Sequence, residues 1–289
     1  MPPISEIKTT VLQRAVGRNG AGPEPRPVIF GPVRVGAARE AAGNVLGPTY
    51  PVLATTLRRL VYRVGADVTN SVARRPCLVV APHPDDETLG AAATIMRKLD
   101  AGTPVRVLIA TDGSKSPPGD PAAVAALRTV ELRSACVLLG LSGADVIQLP
   151  FVDAELDGDE DALTDAIAEC VAEFRPADVL TTSETDPHDD HAVVGAATRR
   201  AVSGTDVRLL AYPVWQWDRP PRLVRMMWRS GRPELVRSDG YLDRKREVIA
   251  AYHSQLAPMA GAAGAEGLEP AFLRHFEGPF EIFFPVAMP

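Results

Sequence analysis

The sequence predicts an α/β fold in three layers, with a mostly parallel sheet between two layers of helices. From Arg75 onward, short apolar runs of strand length alternate with segments of helical periodicity, and the connections between them are short. The chain has 289 residues, of which 46% are hydrophobic, so it is long and apolar enough to bury a core of this kind.

Each element of this fold has its own signal. Asp120 and Pro121 form a typical helix start, a capping carboxylate followed by proline at the first helical position, and Gly102 marks a helix end. Apolar runs predict five strands, over residues 77–81, 104–113, 144–151, 177–183 and 207–215. Helical patterns lie between them, over residues 87–102, 120–141, 159–176 and 189–204.

The two ends of the chain are less regular. Residues 1–72 predict an N-terminal extension that packs on the core, with an amphipathic helix within residues 50–68. Residues 73–289 predict the main domain, which includes a late helix over 241–256. The apolar segment 280–289 is either a last strand or an extended edge.

Composition excludes several classes of function. A net charge of -5 argues against a general nucleic-acid binder, which is normally basic. No apolar run is long enough for a membrane span and no secretory signal is recognisable, so we expect a cytoplasmic protein. The three cysteines are widely spaced and odd in number, which predicts buried thiols rather than disulfides or a cysteine-rich zinc site.

Polar side chains of metal-binding type follow four of the predicted strands. In an open parallel sheet, ligands bind where the carboxyl ends of the strands meet. Three of the five histidines stand at two of these strand ends. In chain order, the residues at these ends are His83, Asp85, Asp86, Glu87, Thr111, Asp112, Asp153, His188 and His191.

Two histidines and one carboxylate from two strand ends predict a metal site. Catalytic zinc takes three protein ligands of these types, here His83, Asp86 and His191, and keeps one position open for water. Asp85 is then available as a general base for the metal-activated water, and His188 as an acid or a stabiliser of an oxyanion. These parts predict metal-assisted hydrolysis of an amide.

Three of these residues also have simpler interpretations. Asp85 could cap the helix that follows it, because carboxylates favour helix N-termini. Glu87 in the first turn is expected to support the helix end or a ligand rather than bind the metal. His188 taken alone could be a surface residue. The presence of both clusters, HPDD and HDDH, favours the metal site.

The motif APHPDDETLG resembles the hallmark of the LmbE-like, or PIG-L-type, zinc-dependent N-deacetylases. The stretch DPHDDHAVVG resembles their second motif, and LRTVELRSACVLLGL, TDG and KREVIAAYHSQ are similar to further family segments, so the resemblance covers about residues 75 to 257. It implies a Rossmann-like αβα fold with the active site at the carboxyl ends of the strands. It also implies hydrolysis of N-acetyl groups, mostly from N-acetylglucosaminyl conjugates, with Zn²⁺ or Fe²⁺ as cofactor.

The resemblance also implies roles for individual residues. It makes Asp85 the general base and His188 the acid or oxyanion-stabilising group. Arg128 matches an arginine that reaches the substrate in some members, and Asp153 matches an aspartate that can hold sugar hydroxyls. The residues that it assigns to the metal are His83, Asp86 and His191.

This sequence departs from the family pattern at two positions. Asp189 stands where the family often has proline, a change of little expected consequence. Asp186 stands where some members have a tyrosine that helps to bind the oxyanion. An anion cannot take that part, so a different group must do so or the loop must run differently.

An arginine-rich segment over residues 218–240 follows the fifth predicted strand. It is interpreted either as a solvated, salt-bridged surface element or as a platform near the site entrance for an anionic substrate, such as a sugar nucleotide or phospholipid head. Trp215 and Trp217 precede it. The segment contains Trp228 and the arginines Arg219, Arg222, Arg225, Arg229, Arg232 and Arg237.

Other activities fit part of the pattern. An amidase that cleaves a bulkier acyl group or a thiol-conjugate amide would use the same residues. Two histidines and a carboxylate also form the facial triad of non-haem iron oxygenases, but those typically use a β-barrel scaffold. A binding protein with a degenerate site would not need the complete set of ligands, base and acid. We therefore predict a metal-dependent N-deacetylase that acts on a small amino-sugar conjugate.

Overall fold

The computed structural model describes residues 50–256 and 267–288. Its strands are β1 (Ala66–Asp67), β2 (Cys77–Ala81), β3 (Val105–Thr111), β4 (Val146–Phe151), β5 (Asp178–Thr182), β6 (Arg208–Tyr212), β7 (Glu234–Arg237) and β8 (Phe280–Pro285). Its helices are α1 (Tyr50–Val64), α2 (Thr69–Val72), α3 (Asp86–Asp100), α4 (Pro121–Leu139), α5 (Glu160–Phe174), α6 (Asp189–Ala201), α7 (Pro220–Arg229), α8 (Leu242–Ala250), α9 (His253–Leu256) and α10 (Pro270–Leu273).

The strands form one sheet of eight strands in the order β1-β7-β8-β6-β5-β2-β3-β4. All neighbouring pairs are parallel except those that β8 makes with β6 and β7. The predicted α/β fold with a mostly parallel sheet is therefore confirmed. The five predicted strands are β2 to β6, and the helices between them are α3 to α6.

Helices cover both faces of the sheet because strand side chains alternate between the faces. In β2, Cys77, Val79 and Ala81 pack into one apolar core with α3, α4 and α8. Leu78 and Val80 pack into the other core with α5 and α6. The three cysteines are buried free thiols, as the sequence predicts. No helix within the described residues could cross a membrane.

The sequence analysis missed two strands and left the place of a third open. β1 and β7 are short, with two and four residues, and pair with each other at the edge of the sheet. The apolar segment 280–289 contributes β8, which lies inside the sheet between β7 and β6. Its antiparallel direction explains why the alternation of strand and helix did not reveal its position.

A buried ion pair ties α3 to β8 and α8. Lys245 and Glu281 meet at 2.7 Å, with side-chain exposures of 0% and 2%. The Glu281 carboxylate also accepts hydrogen bonds from the backbone N–H groups of Ala93 and Thr94, both at 2.8 Å. The Lys245 ammonium donates to the Leu89 carbonyl at 2.8 Å. The pair therefore fixes the middle of α3, the helix that follows the HPDD motif.

The helix predicted within residues 50–68 is α1. It packs near α7, and the Arg58 guanidinium donates to the Arg274 carbonyl at 2.8 Å. The Tyr62 and Phe280 rings lie 5.4 Å apart. Residues 1–49 lie outside the described residues, so the extension over 1–72 as a unit stays a prediction.

Candidate metal centre

The two motif loops meet at the point where the strand order changes direction. From β2 the chain builds outward through β3 to β4, and then returns to place β5 on the other side of β2. After β2 the chain continues over one face of the sheet, and after β5 it continues over the other face. The divergence leaves a crevice at the carboxyl ends of the strands, which is the usual ligand site of such sheets. The HPDD motif follows β2, and the HDDH motif follows β5.

The turn between β2 and α3 holds Asp85 in an unusual backbone conformation. Its φ is 134°, a region that non-glycine residues rarely adopt. Its N–H donates to the buried Glu87 carboxylate at 3.0 Å, and Glu87 in turn accepts from the Tyr252 hydroxyl at 2.6 Å. The Asp85 side chain makes no capping hydrogen bond to α3, so the capping interpretation is wrong. Glu87 supports the turn, in line with the sequence-based expectation for it.

The three predicted ligands lie close together in the interior. One donor atom from each of His83, Asp86 and His191 falls within 4.8 Å of the others. One oxygen of Asp86 is 3.2 Å from His83 Nδ1 and 3.3 Å from His191 Nε2. Two imidazoles and a carboxylate are the donor set of a catalytic zinc site, so these residues fit the predicted ion.

Two further carboxylates surround His83. Its Nε2 atom is 3.1 Å from Asp153 and 3.1 Å from Asp190. Burial raises the pKa of Asp153, but the hydrogen bond and charge of His83, the Lys115 N–H and the charge of Arg128 together bring the pKa to about 2. A concentration of buried negative charge needs a cationic partner, which a metal ion would supply.

Asp190 is a site residue that the sequence analysis missed. It also accepts from the Ala154 N–H at 2.8 Å, and it forms a second candidate metal group with His83 and His188. The position of Asp190 within the HDDH motif was the available signal.

Asp186, at the position of the family tyrosine, is directed at His191 and not at the cavity. Its carboxylate lies 3.7 Å from His191 Nδ1 and accepts from the His188 N–H at 2.9 Å. A carboxylate behind a ligating imidazole fixes the ring and raises its basicity. At the position of the family tyrosine, the loop therefore carries a carboxylate that lies near His191 and outside the cavity lining.

Arg128 lies beside the predicted base. Its guanidinium is 3.3 Å from the Asp85 carboxylate and donates to the carbonyls of Pro84 and Ser116, the latter at 2.8 Å. Burial raises the pKa of Asp85 to about 7, against the lowering effect of Arg128. Arg128 is 2% exposed and borders the cavity, so it positions Asp85 as well as facing the substrate space.

His188 lies next to both histidines of the candidate metal group. The centroid of its ring is 5.0 Å from that of His83 and 4.8 Å from that of His191. Burial and these two neighbours lower the pKa of His188. Its Nδ1 atom has no hydrogen-bond partner among the described residues. The shift favours the neutral form of the imidazole, which lies at the wall of the cavity.

A cavity of about 900 Å³ opens over the site. Its inner wall includes His83, Asp85, Asp86, Arg128, Asp153, His188 and His191. Further lining residues come from α1, from the turn over residues 215–219 and from α10 with the residues after it. The predicted residues therefore face one space, which is large enough for a drug-sized ligand.

Most of the arginine-rich segment lies elsewhere. Of its six arginines, only Arg219 lines the cavity among the described residues. Arg229 pairs with Glu184, Arg232 donates to the Val64 carbonyl and Arg237 pairs with Asp67. Trp228 is 89% exposed. The segment is therefore mainly a surface element, as the simpler interpretation predicted.

Comparison with known proteins identifies the domain. Residues 78–202 match the family model described as PIG-L: GlcNAc-PI de-N-acetylase. The chain contains a PIG-L family domain. The domain spans the strands and helices from β2 to α6, and so includes both motifs and the crevice between them.

Two bacterial relatives share this PIG-L region. A probable N-acetyl-alpha-D-glucosaminyl L-malate deacetylase 2 of Bacillus cereus is 35% identical over 45% of this chain and 61% of its own length. The 1D-myo-inositol 2-acetamido-2-deoxy-alpha-D-glucopyranoside deacetylase of Kineococcus radiotolerans is 30% identical over 52% of this chain and 55% of its own. The chain thus spans less than two thirds of each of these relatives.

The PIG-L fold also matches solved structures. The zinc-inhibited form of a teicoplanin deacetylase superposes with a TM-score of 0.56 at 18% sequence identity. The match covers 74% of this chain and 98% of the deacetylase. At this identity the likeness establishes the shared fold.

Proposed function

We propose that this protein hydrolyses the N-acetyl group of an amino-sugar conjugate in a metal-dependent reaction. The observation that carries the proposal is the convergence of two histidines and one carboxylate, with Asp85 and His188 beside them, on one buried wall of a substrate-sized cavity. The curated relatives that share the domain are named as deacetylases of N-acetylglucosaminyl conjugates. By analogy with these relatives, the proposed substrate is a small molecule.

His83, Asp86 and His191 would hold the ion, and Zn²⁺ suits this donor set best, with Fe²⁺ as the alternative. When bound, a divalent cation supplies Lewis acidity, which acidifies water and polarises the amide carbonyl. Asp186 behind His191 keeps that ring in place for the ion.

Asp85 is the general base of the proposed reaction. Its carboxylate borders the cavity, and its backbone is fixed by Glu87 while Arg128 steadies its side chain. It takes a proton from the attacking water as the oxygen of that water adds to the acetyl carbonyl carbon. Asp85 then passes that proton to the leaving nitrogen as the C–N bond breaks, so acetate and the free amine leave and the Asp85 carboxylate is restored.

His188 has two proposed roles, and its surroundings favour one of them. The low pKa of His188 keeps the ring neutral, and a cation held beside it would act in the same direction. A neutral imidazole can donate an N–H hydrogen bond to the oxyanion of the tetrahedral intermediate. We therefore assign oxyanion stabilisation to His188 ahead of proton donation to the leaving nitrogen. Asp153 remains a proposed contact for sugar hydroxyls.

The test combines metal analysis with acetate release. Purified protein would be assayed with a panel of N-acetylglucosaminyl compounds before and after chelation, and after reconstitution with Zn²⁺ or anaerobic Fe²⁺. His191→Ala should lose metal and activity together. Asp85→Asn should keep its metal but lose activity by at least about a hundredfold. Asp243→Asn, on the exposed face of α8, is the matched control and should behave as the wild type.

Two outcomes would contradict the proposal. Catalysis at a normal rate in Asp85→Asn would remove Asp85 as the base. Failure of the protein to take up any divalent metal would remove the metal site. Stoichiometric metal without acetate release would favour the second candidate, an amidase for a bulkier acyl group, which the 900 Å³ cavity has room to admit.

A further inference from the structure

One part of the cavity wall, outside the candidate metal centre, is aromatic. Trp215 stacks on Phe272 with ring centroids 4.6 Å apart, and Trp217 stacks on His275 at 5.2 Å with an interplanar angle of 3°. All four residues line the cavity. The stacks join the turn after β6 to α10 and the residues that follow it, so this wall is a built surface formed by packed rings.

Arginines flank this aromatic wall. Arg58 of α1 and Arg274 both line the cavity, and the Arg58 guanidinium donates to the Arg274 carbonyl. Among the described residues, no carboxylate lies within ion-pair distance of either guanidinium. The carboxylates of Asp218 and Glu269 and the guanidinium of Arg219 line the cavity as well.

The pKa of His275 reflects burial and the positive charges near its ring. Burial, followed by the charges of Arg58 and Arg274, lowers the pKa of His275 to about 4. Both guanidiniums are therefore close enough to the ring to disfavour a further positive charge. An anion at this point would meet two guanidinium cations.

We propose that this end of the cavity, bounded by Arg58, Arg274 and the Trp217–His275 stack, binds a carboxylate or phosphate group on the aglycone of the substrate. The inference rests on the proposed deacetylation, because the other wall of the same cavity holds the reacting amide. Guanidinium groups recognise both anions through paired N–H donors. A cavity of about 900 Å³ also exceeds what one N-acetylated sugar ring fills.

The subsite lies largely outside the PIG-L domain. The domain covers residues 78–202, whereas Arg58 comes from α1 and Arg274 follows α10. The anion preference is therefore a property of the segments that this chain packs around the domain. The domain would supply the reaction, and α1 with α10 would select the substrate.

The test compares matched anionic and neutral glycosides. Acetate release would be measured for the α-N-acetylglucosaminide of L-malate and for its dimethyl ester, which has nearly the same shape without charge. N-acetylglucosamine 1-phosphate and methyl α-N-acetylglucosaminide form a second pair, which separates phosphate from carboxylate. The wild type should favour the anionic member of at least one pair by about tenfold in kcat/KM, the value of one charge-assisted hydrogen bond.

Single substitutions test which arginines produce the preference for the anionic substrate. Arg58→Gln and Arg274→Gln should each lower the anionic-to-neutral ratio of kcat/KM by about tenfold, mainly through KM. Arg274→Gln keeps the backbone carbonyl that Arg58 contacts, so it separates anion binding from the packing of α1. Arg59→Gln, one residue along α1 and exposed, is the matched control and should keep the wild-type ratio.

Equal kcat/KM within both pairs in the wild type would overturn the subsite. An unchanged ratio in both Arg58→Gln and Arg274→Gln, or the same fall in Arg59→Gln, would also overturn it. Calorimetric Kd values for glucosaminyl malate and its dimethyl ester give a readout without turnover. Tighter binding of the anion without acetate release would contradict the deacetylase assignment and support the subsite, whereas equal Kd values would overturn the subsite.

Discussion

The ion pair between Lys245 and Glu281 leads to a quantitative prediction about the stability of the fold. The Glu281 carboxylate receives four donors, from Lys245, from the backbone N–H groups of Ala93 and Thr94, and from the Thr94 hydroxyl at 2.6 Å. Both side chains are at most 2% exposed, so the pair is shielded from bulk solvent. Removal of one charge therefore leaves the other buried without its partner.

The single substitutions should each be costly. Glu281→Gln leaves Lys245 charged in the interior, and Lys245→Met leaves the carboxylate uncompensated. Each should reduce the free energy of unfolding by about 3 to 5 kcal/mol, the usual cost of breaking a buried pair from one side. The double variant should cost less than the sum by about 1 to 3 kcal/mol, because the second change removes the charge that the first one stranded.

Urea unfolding followed by far-ultraviolet circular dichroism provides the assay, with the midpoints compared at equal slope. Arg246→Met is the matched control, since Arg246 follows Lys245 on α8 but forms its ion pairs with Asp243 and Glu277 at the surface. Its midpoint should stay at the wild-type value. Strict additivity of the two single substitutions would refute the coupling, and a Glu281→Gln protein as stable as the wild type would refute the buried charge.

Three further predictions follow from other parts of the structure. Gly195→Ala should destabilise the fold by about 1 to 3 kcal/mol in the same assay, because a Cβ there would lie 2.6 Å from backbone at the end of β5, whereas Gly143→Ala meets nothing within 4 Å and should be neutral. Asp186→Asn should weaken metal binding by about tenfold to a hundredfold in chelator competition, since it removes the carboxylate behind His191; an unchanged affinity would contradict its orienting role. Native protein at pH 8 should not react with Ellman's reagent, and urea should release three reactive thiols, because burial raises the pKa values of Cys77, Cys136 and Cys170. Fast reaction of a thiol in the native protein would contradict that burial.

The central part of the fold was predictable because its signals are local. β2 to β6 are apolar runs separated by helices with clear starts and stops, and short connections leave few possible arrangements. β1 and β7 were not predictable, since two- and four-residue strands carry too little pattern. The place of β8 depends on its pairing with β6 and β7, which lie far from it in sequence. Local sequence patterns do not reveal such pairing.

In the candidate site, too, some features could be predicted from the sequence and others could not. His83, Asp86 and His191 were predictable because parallel strands bring their carboxyl ends together, so neighbouring strand ends imply neighbouring side chains. The roles of Asp190 and Asp186 depend on side-chain directions within one loop. The approach of Arg58 to Arg274 joins segments that are 216 residues apart. No periodicity or motif encodes such a contact.

The position of β8 has a consequence for synthesis of the protein on the ribosome. β8 is the last of the described strands to emerge, yet it separates β6 from the β7–β1 pair. A nascent chain that extends past Lys245 but does not yet include β8 therefore has an open strand edge at β6 and a Lys245 ammonium without its carboxylate. Such an edge invites pairing with other chains. We expect ribosome-bound intermediates to depend on chaperones until β8 closes the sheet, and the metal-site helix α3 to become fixed only at that late step.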